Sequence, residues 1–72
     1  MSTLKIRTEV AGTVWKIVAA QGASLAAGDT ILIMESMKME IPIEAPRAGT
    51  LSELLVAEGD VLNEDDVVAS LA

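Results

Sequence analysis

The sequence encodes an all-β fold, a sandwich or flattened barrel of two similar halves with pseudo-twofold symmetry. Short runs of β-branched and aliphatic residues alternate with turn residues along the chain. The stretch Ala11-Gly12-Thr13-Val14 returns at an offset of 37 residues as Ala48-Gly49-Thr50-Leu51. The core must be aliphatic, because the chain is 51% hydrophobic yet holds a single aromatic, Trp15. Seventy-two residues suit one domain, expected to span residues 1–72, and a chain this short buries only about 60% of its unfolded surface. Cysteine and histidine are both absent, so packing must replace the disulfide or metal that small folds often use.

In order along the chain, the first half reads as a strand over 13–18, turns at Gln21-Gly22 and Gly28-Asp29, and a strand over 30–34. The second half reads as a strand over 50–56, a turn at Glu58-Gly59-Asp60, and a strand over 67–71. Comparing 11–35 with 48–72 gives seven identities in 25 positions, and ordered hydrophobic matches join them: Ile17 with Leu54, Val18 with Leu55, Ile31 with Val68. The competing element is a helix over 51–62, where Leu51, Leu54, Leu55 and Glu58 stand at helical spacing. Its counterpart 14–25 opens on β-branched residues and is interrupted by Gly22, which favours strands in both halves.

Residues 36–47 have no counterpart in the repeat, and unique segments on a repeated scaffold are where function tends to sit. With Met37-Lys38 as a two-residue hairpin loop, paired residue numbers sum to 75 and the faces sort themselves. Leu32, Met34, Ser36, Met39, Ile41, Ile43 and Ala45 fall on the inner face. Ile31, Ile33, Glu35, Met37, Lys38, Glu40, Pro42 and Glu44 fall on the outer one. Met34 and Met39 are therefore expected in the core. Pro42, lacking an N–H, fits an edge strand or a bulge. Lys38 stands at the outermost point of the turn, although Asn-Gly would suit the positive φ angles of a type I′ loop better than Met-Lys does. Such a lysine is either a presented nucleophile or a solvated side chain loosely paired with Glu35 or Glu40, a pairing that contributes at most ~1 kcal/mol.

Charge and hydropathy remove several classes of function. A formal net charge of −6, with five scattered basic residues, is opposed to nucleic-acid binding. No apolar run approaches the ~20 residues of a membrane span, and Met1-Ser2-Thr3-Leu4-Lys5 lacks a signal-peptide core, so a cytoplasmic protein with no membrane partner is expected. The run Glu64-Asp65-Asp66 lacks the alternating ligands of a calcium loop and reads as a solvated turn. Trp15 reads as a side chain half-buried on the sandwich rather than a cap on the hairpin.

The run Glu35-Ser36-Met37-Lys38-Met39-Glu40 resembles the biotinyl (biotin/lipoyl attachment) domain family, whose signature is Met-Lys-Met with an acidic residue close by. The resemblance extends over Gly12-Thr13-Val14, Gly22, Gly28-Asp29, Ala45-Pro46, Gly49-Thr50 and Gly59-Asp60-Val61. It implies a barrel-sandwich hybrid of two antiparallel four-stranded sheets, with the modified lysine on a hairpin turn. The chain departs from the family pattern at Ser36, where alanine is usual, at the proline-free approach Thr8-Glu9-Val10-Ala11, and at Ala23, where an acidic residue is usual. It also lacks the inserted thumb of some bacterial members.

The resemblance further implies a biotin carboxyl carrier: covalent biotin on Lys38, attached by a biotin-protein ligase, with biotin carboxylase and carboxyltransferase as partners. Glu35, Ser36, Met37, Met39 and Glu40 would serve ligase and partner recognition, where flexible methionines suit adaptable contacts. The domain would supply position and reach while its partners supply catalysis, and when free it would be monomeric. Two other readings stand beside this one. A lipoyl carrier would present a hairpin lysine in the same way, though usually between Asp and Ala. An unmodified β-sandwich would bind a protein through its acidic surface. An enzyme in its own right is disfavoured by the missing His and Cys and by the lack of a paired acid-base constellation.

Overall fold

Eight strands follow one another through residues 3–72, the part of the chain that the computed structural model describes; Met1 and Ser2 lie outside it. They are β1 Leu4–Arg7, β2 Gly12–Ile17, β3 Ser24–Leu25, β4 Thr30–Ser36, β5 Met39–Glu44, β6 Gly49–Leu54, β7 Val61–Leu62 and β8 Val67–Leu71. Two four-stranded antiparallel sheets result, ordered β1-β8-β6-β3 and β5-β4-β2-β7. No helix occurs among the described residues, so 51–62 is a strand, a turn and a further strand. The β-branched residues of the first half, Val14, Ile17 and Val18, and the positive φ of Gly22 and Gly59, 92° and 93°, settle that choice.

The 37-residue repeat is a pseudo-twofold axis that carries one sheet onto the other. The offset takes β2 onto β6 and β3 onto β7, and it carries Leu4–Arg7 of β1 onto the last four residues of β5, so residues 41–44 do have a counterpart, which a comparison begun at residue 11 does not reach. Irregularities are copied as well: Trp15 is the extra residue of a bulge in β2 and Ser52 that of a bulge in β6. So are the turns. The Ile17 N–H donates to Glu58 Oε2 (3.0 Å) and the Leu54 N–H to Gln21 Oε1 (3.2 Å), each half pinning the other's strand end. Asp29 and Asp66 accept from Ala26 and Asn63 N–H groups in equivalent turns.

Leu32, Met34, Leu51, Leu71, Val14 and Val68 fill the space between the sheets and are essentially inaccessible to water. Ile31 joins them. Unbroken alternation places it on the outer face, but the register shifts between Thr30 and Leu32, and the bulge leaves Ile31 fully buried. The sequence also leaves β1, β3 and β7 unassigned and extends β2 and β6 too far. Val18 and Leu55 lie just past the strands, donating to Ile31 and Val68 carbonyls. Among the described residues, no helix is long and apolar enough to cross a membrane.

The candidate functional site is the lysine hairpin

The β4–β5 hairpin has the register expected of it. Ser36 pairs with Met39, Glu35 with Glu40, Met34 with Ile41, Ile33 with Pro42 and Leu32 with Ile43. Met37 and Lys38 form its two-residue loop with φ angles of 52° and 65°, both in the left-handed region that a type I′ turn requires. Neither residue is comfortable there, since an L side chain in that region is strained by about 1–2 kcal/mol. The pairing of Ser36 with Met39 holds the turn against that strain and sets Lys38 at the tip with its side chain exposed, beside Met37, which is 92% exposed.

The base of the hairpin is held more firmly than its tip. The Ser36 hydroxyl donates to the Ala11 carbonyl (2.8 Å), tying the end of β4 to the approach to β2. Gly12 allows the two strands to close there, because a Cβ on it would lie 2.5 Å from the Glu35 carbonyl oxygen and 3.2 Å from Ser36 Cβ. The glycine and the serine of the motif are thus one device, a contact that sequence reasoning did not connect. Met39 differs from expectation. It lies on the inner side of the hairpin but beyond the last layer of the core, and is 64% exposed, so the structure places it with the presented residues rather than with buried Met34. Glu35 and Glu40 stand directly opposite each other on the outer face, both exposed, a like-charge pair that disfavours the hairpin in isolation.

Ser36 and Gly12 mark one end of the molecule, and contacts at the far end of β2 mark the other. There Gly22 donates to Leu51, which pairs with Leu71 beside the C-terminus. The lysine tip and the paired ends of β1 and β8 therefore lie at opposite ends of a body 36 Å long and 17 Å across. Trp15 sits 49% exposed on its bulge, half-buried as the sequence suggests. Asp66 of the acidic run serves its own turn, and no group of His, Cys, Asp or Glu that could hold a metal occurs among the described residues.

Comparison with known proteins agrees with this geometry. A family model described as "Biotin-requiring enzyme" matches residues 3–71. The Biotin/lipoyl attachment protein of Bacillus subtilis is 41% identical over 69 residues, covering 96% of this chain and 94% of that protein. The Biotinylated protein TB7.3 homolog of Mycobacterium leprae is 37% identical, covering 93% and 94%. Urea carboxylase of Kluyveromyces lactis superposes with a TM-score of 0.95 at 33% identity, over 100% of this chain but only 6% of that one. An exposed lysine on a strained hairpin, a twofold-related pair of four-stranded sheets and relatives matched over nearly their whole length lead to one conclusion: the chain belongs to the biotin/lipoyl attachment family.

Proposed function

We propose that the domain is a biotin carboxyl carrier in which the Lys38 side-chain amine bears biotin. The observation that carries the reading is the Met37-Lys38-Met39 tip, with Met37 and Lys38 at positive φ and the three residues projecting beyond the core in a chain of this family. The Lys38 amine acts as nucleophile toward the carbonyl of an activated biotinyl group supplied by a biotin-protein ligase: the N–C bond forms, the activating group leaves with its electron pair, and the amine gives up a proton. An ammonium has no lone pair with which to attack, so the ligase must provide the base that removes its proton. Biotin, when bound, supplies the atom that takes up and releases the carboxyl group.

The chain's own residues position and present. Ser36 and Gly12 fix the base of the hairpin, and the turn holds the lysine Cα while its side chain swings. Met37 and Met39 offer adaptable apolar contacts to the ligase, with Ser36, Glu35 and Glu40 completing the recognised segment. Biotin carboxylase and carboxyltransferase supply the catalysis; the carrier itself is not catalytic and works in the cytoplasm. A relative supports the carboxylase partners: pyruvate carboxylase of Bacillus subtilis, 33% identical over 66 residues, holds a matching segment that makes up 6% of its length.

A lipoyl arm on the same lysine is the alternative, and the family description, "Biotin-requiring enzyme", speaks against it. Intact-mass measurement after co-expression with a biotin ligase separates the two. One added biotinyl group is expected on the wild type and none on Lys38→Arg. An unmodified wild type, folded and supplied with biotin, would overturn the biotin reading, and a lipoyl group gained with lipoyl ligase would replace it.

A further inference from the structure

The pseudo-twofold axis supplies an internal comparison for every outward-facing residue, and one face fails to match its twin. On the outer side of the lysine-bearing sheet stand Trp15, Ile33, Pro42 and Val61, where the other sheet has Ser52, Ser70, Lys5 and Ser24 at the equivalent positions. Trp15 is 49% and Val61 80% exposed, Pro42 is exposed and Ile33 half-buried, so neither fold nor core requires them to be apolar. The scaffold shows that polar residues are tolerated there, because its own second copy uses them. The patch lies against the base of the lysine hairpin and is bordered by three exposed carboxylates, Glu35 and Glu40 towards the tip and Glu44 along β5, against a single cation, Lys16, which is exposed beside Trp15 and paired with Ile33.

We propose that this face docks the domain onto the biotin carboxylase component, through an apolar patch framed by lysine and arginine side chains on that partner. The inference rests on the carrier function proposed above, which requires this partner whatever the final acceptor. The apolar centre matches the usual anatomy of an interface, and the carboxylate border supplies the charge complementarity that steers a carrier with a net charge of −6. The segment assigned to the ligase, Glu35 to Glu40, is confined to the end of the hairpin. The patch instead runs back from it, Ile33 lying three residues down β4 from Ser36, about 10 Å. Such a face sets the orientation in which the tip is delivered.

The test transfers the twin's residues onto this face. Biotinylated wild type and Trp15→Ser/Val61→Ser are compared as substrates of biotin carboxylase purified from the same cells, with ATP and bicarbonate. The KM for the domain is expected to rise about tenfold or more with kcat unchanged, while the rate of biotin attachment by the ligase stays the same. An unchanged KM would overturn the proposal. So would a matching fall in the attachment rate, which would assign the face to the ligase. If the double variant melts early, Val61→Ser alone carries the test. A wild type that accepts no biotin would instead sink the carrier reading itself, so the two failures are distinguishable.

Discussion

Asp65 holds a φ of 71° at the position where its twin in the first half is Gly28, at 89°. A left-handed backbone suits glycine and strains an L side chain, and aspartate only partly escapes the strain. The one contact that Asp65 makes with Arg7 uses its backbone carbonyl (3.0 Å), which glycine keeps. Asp65→Gly is therefore expected to stabilise the fold by about 0.5–1 kcal/mol, seen as a rise in thermal midpoint of roughly 2–8 °C. Gly12 and Gly49 are the opposite case. A Cβ on Gly12 meets the Glu35 carbonyl oxygen, and one on Gly49 meets that of Ala72. Either change to alanine should destabilise by about 1–3 kcal/mol in a denaturant titration. Only Gly12→Ala should also slow biotin attachment, because only it displaces the lysine hairpin; equal rates in the two variants would show that the base of the hairpin does not govern presentation. The sequence displays both glycines in its repeat, yet the close approach that requires them is a contact between distant strands and leaves no local signal.

The hairpin is the element that sequence reasoning resolves best, because a two-residue loop and a strict alternation leave one register, the one in which pairs sum to 75. Its two errors have one cause each. Ile31 is turned inward by a bulge, and nothing in the local composition marks the extra residue. Met39 has the inner-face parity of a core residue but lies beyond the layer of side chains opposite, so it is apolar, inward and exposed together. The short strands β3 and β7, two residues each, carry no periodic signal, whereas Leu-Lys-Ile-Arg in β1 does alternate and is found by extending the repeat backwards. The site itself was legible because its residues are contiguous. Its cost in stability can be measured: Met37→Asn together with Lys38→Gly gives the turn residues that tolerate positive φ, and should raise stability by about 1–2 kcal/mol while abolishing biotin attachment. A loss of stability would show that the Met-Lys turn is not strained.

At the scale of the molecule, two open sheets have four edges, and each edge is a template for unwanted pairing. The edges β3 and β7 are two residues long, too short to recruit a partner strand. The other two edges, β1 and β5, are twins that meet along an open groove of about 460 Å³. They solve the problem differently at the same position: β5 has Pro42 and β1 has Lys5. Counted from the turn, Pro42 is in a non-hydrogen-bonded pair, so its missing N–H would otherwise have pointed away from β4 into solvent, where a foreign strand would bind. On β1 the ammonium of Lys5 and the guanidinium of Arg7 do the same work by charge, since antiparallel pairing of two β1 edges centred on Ile6 would set Lys5 of each copy against Arg7 of the other. The chain is thereby expected to remain monomeric in sedimentation velocity at high concentration. Pro42→Thr should introduce concentration-dependent association by opening the β5 edge, Lys5→Thr should do so more weakly because Arg7 remains, and the double variant should associate most. If Pro42→Thr stays monomeric at concentrations where Lys5→Thr associates, proline is not the guard of β5, and its place there belongs to the docking face alone.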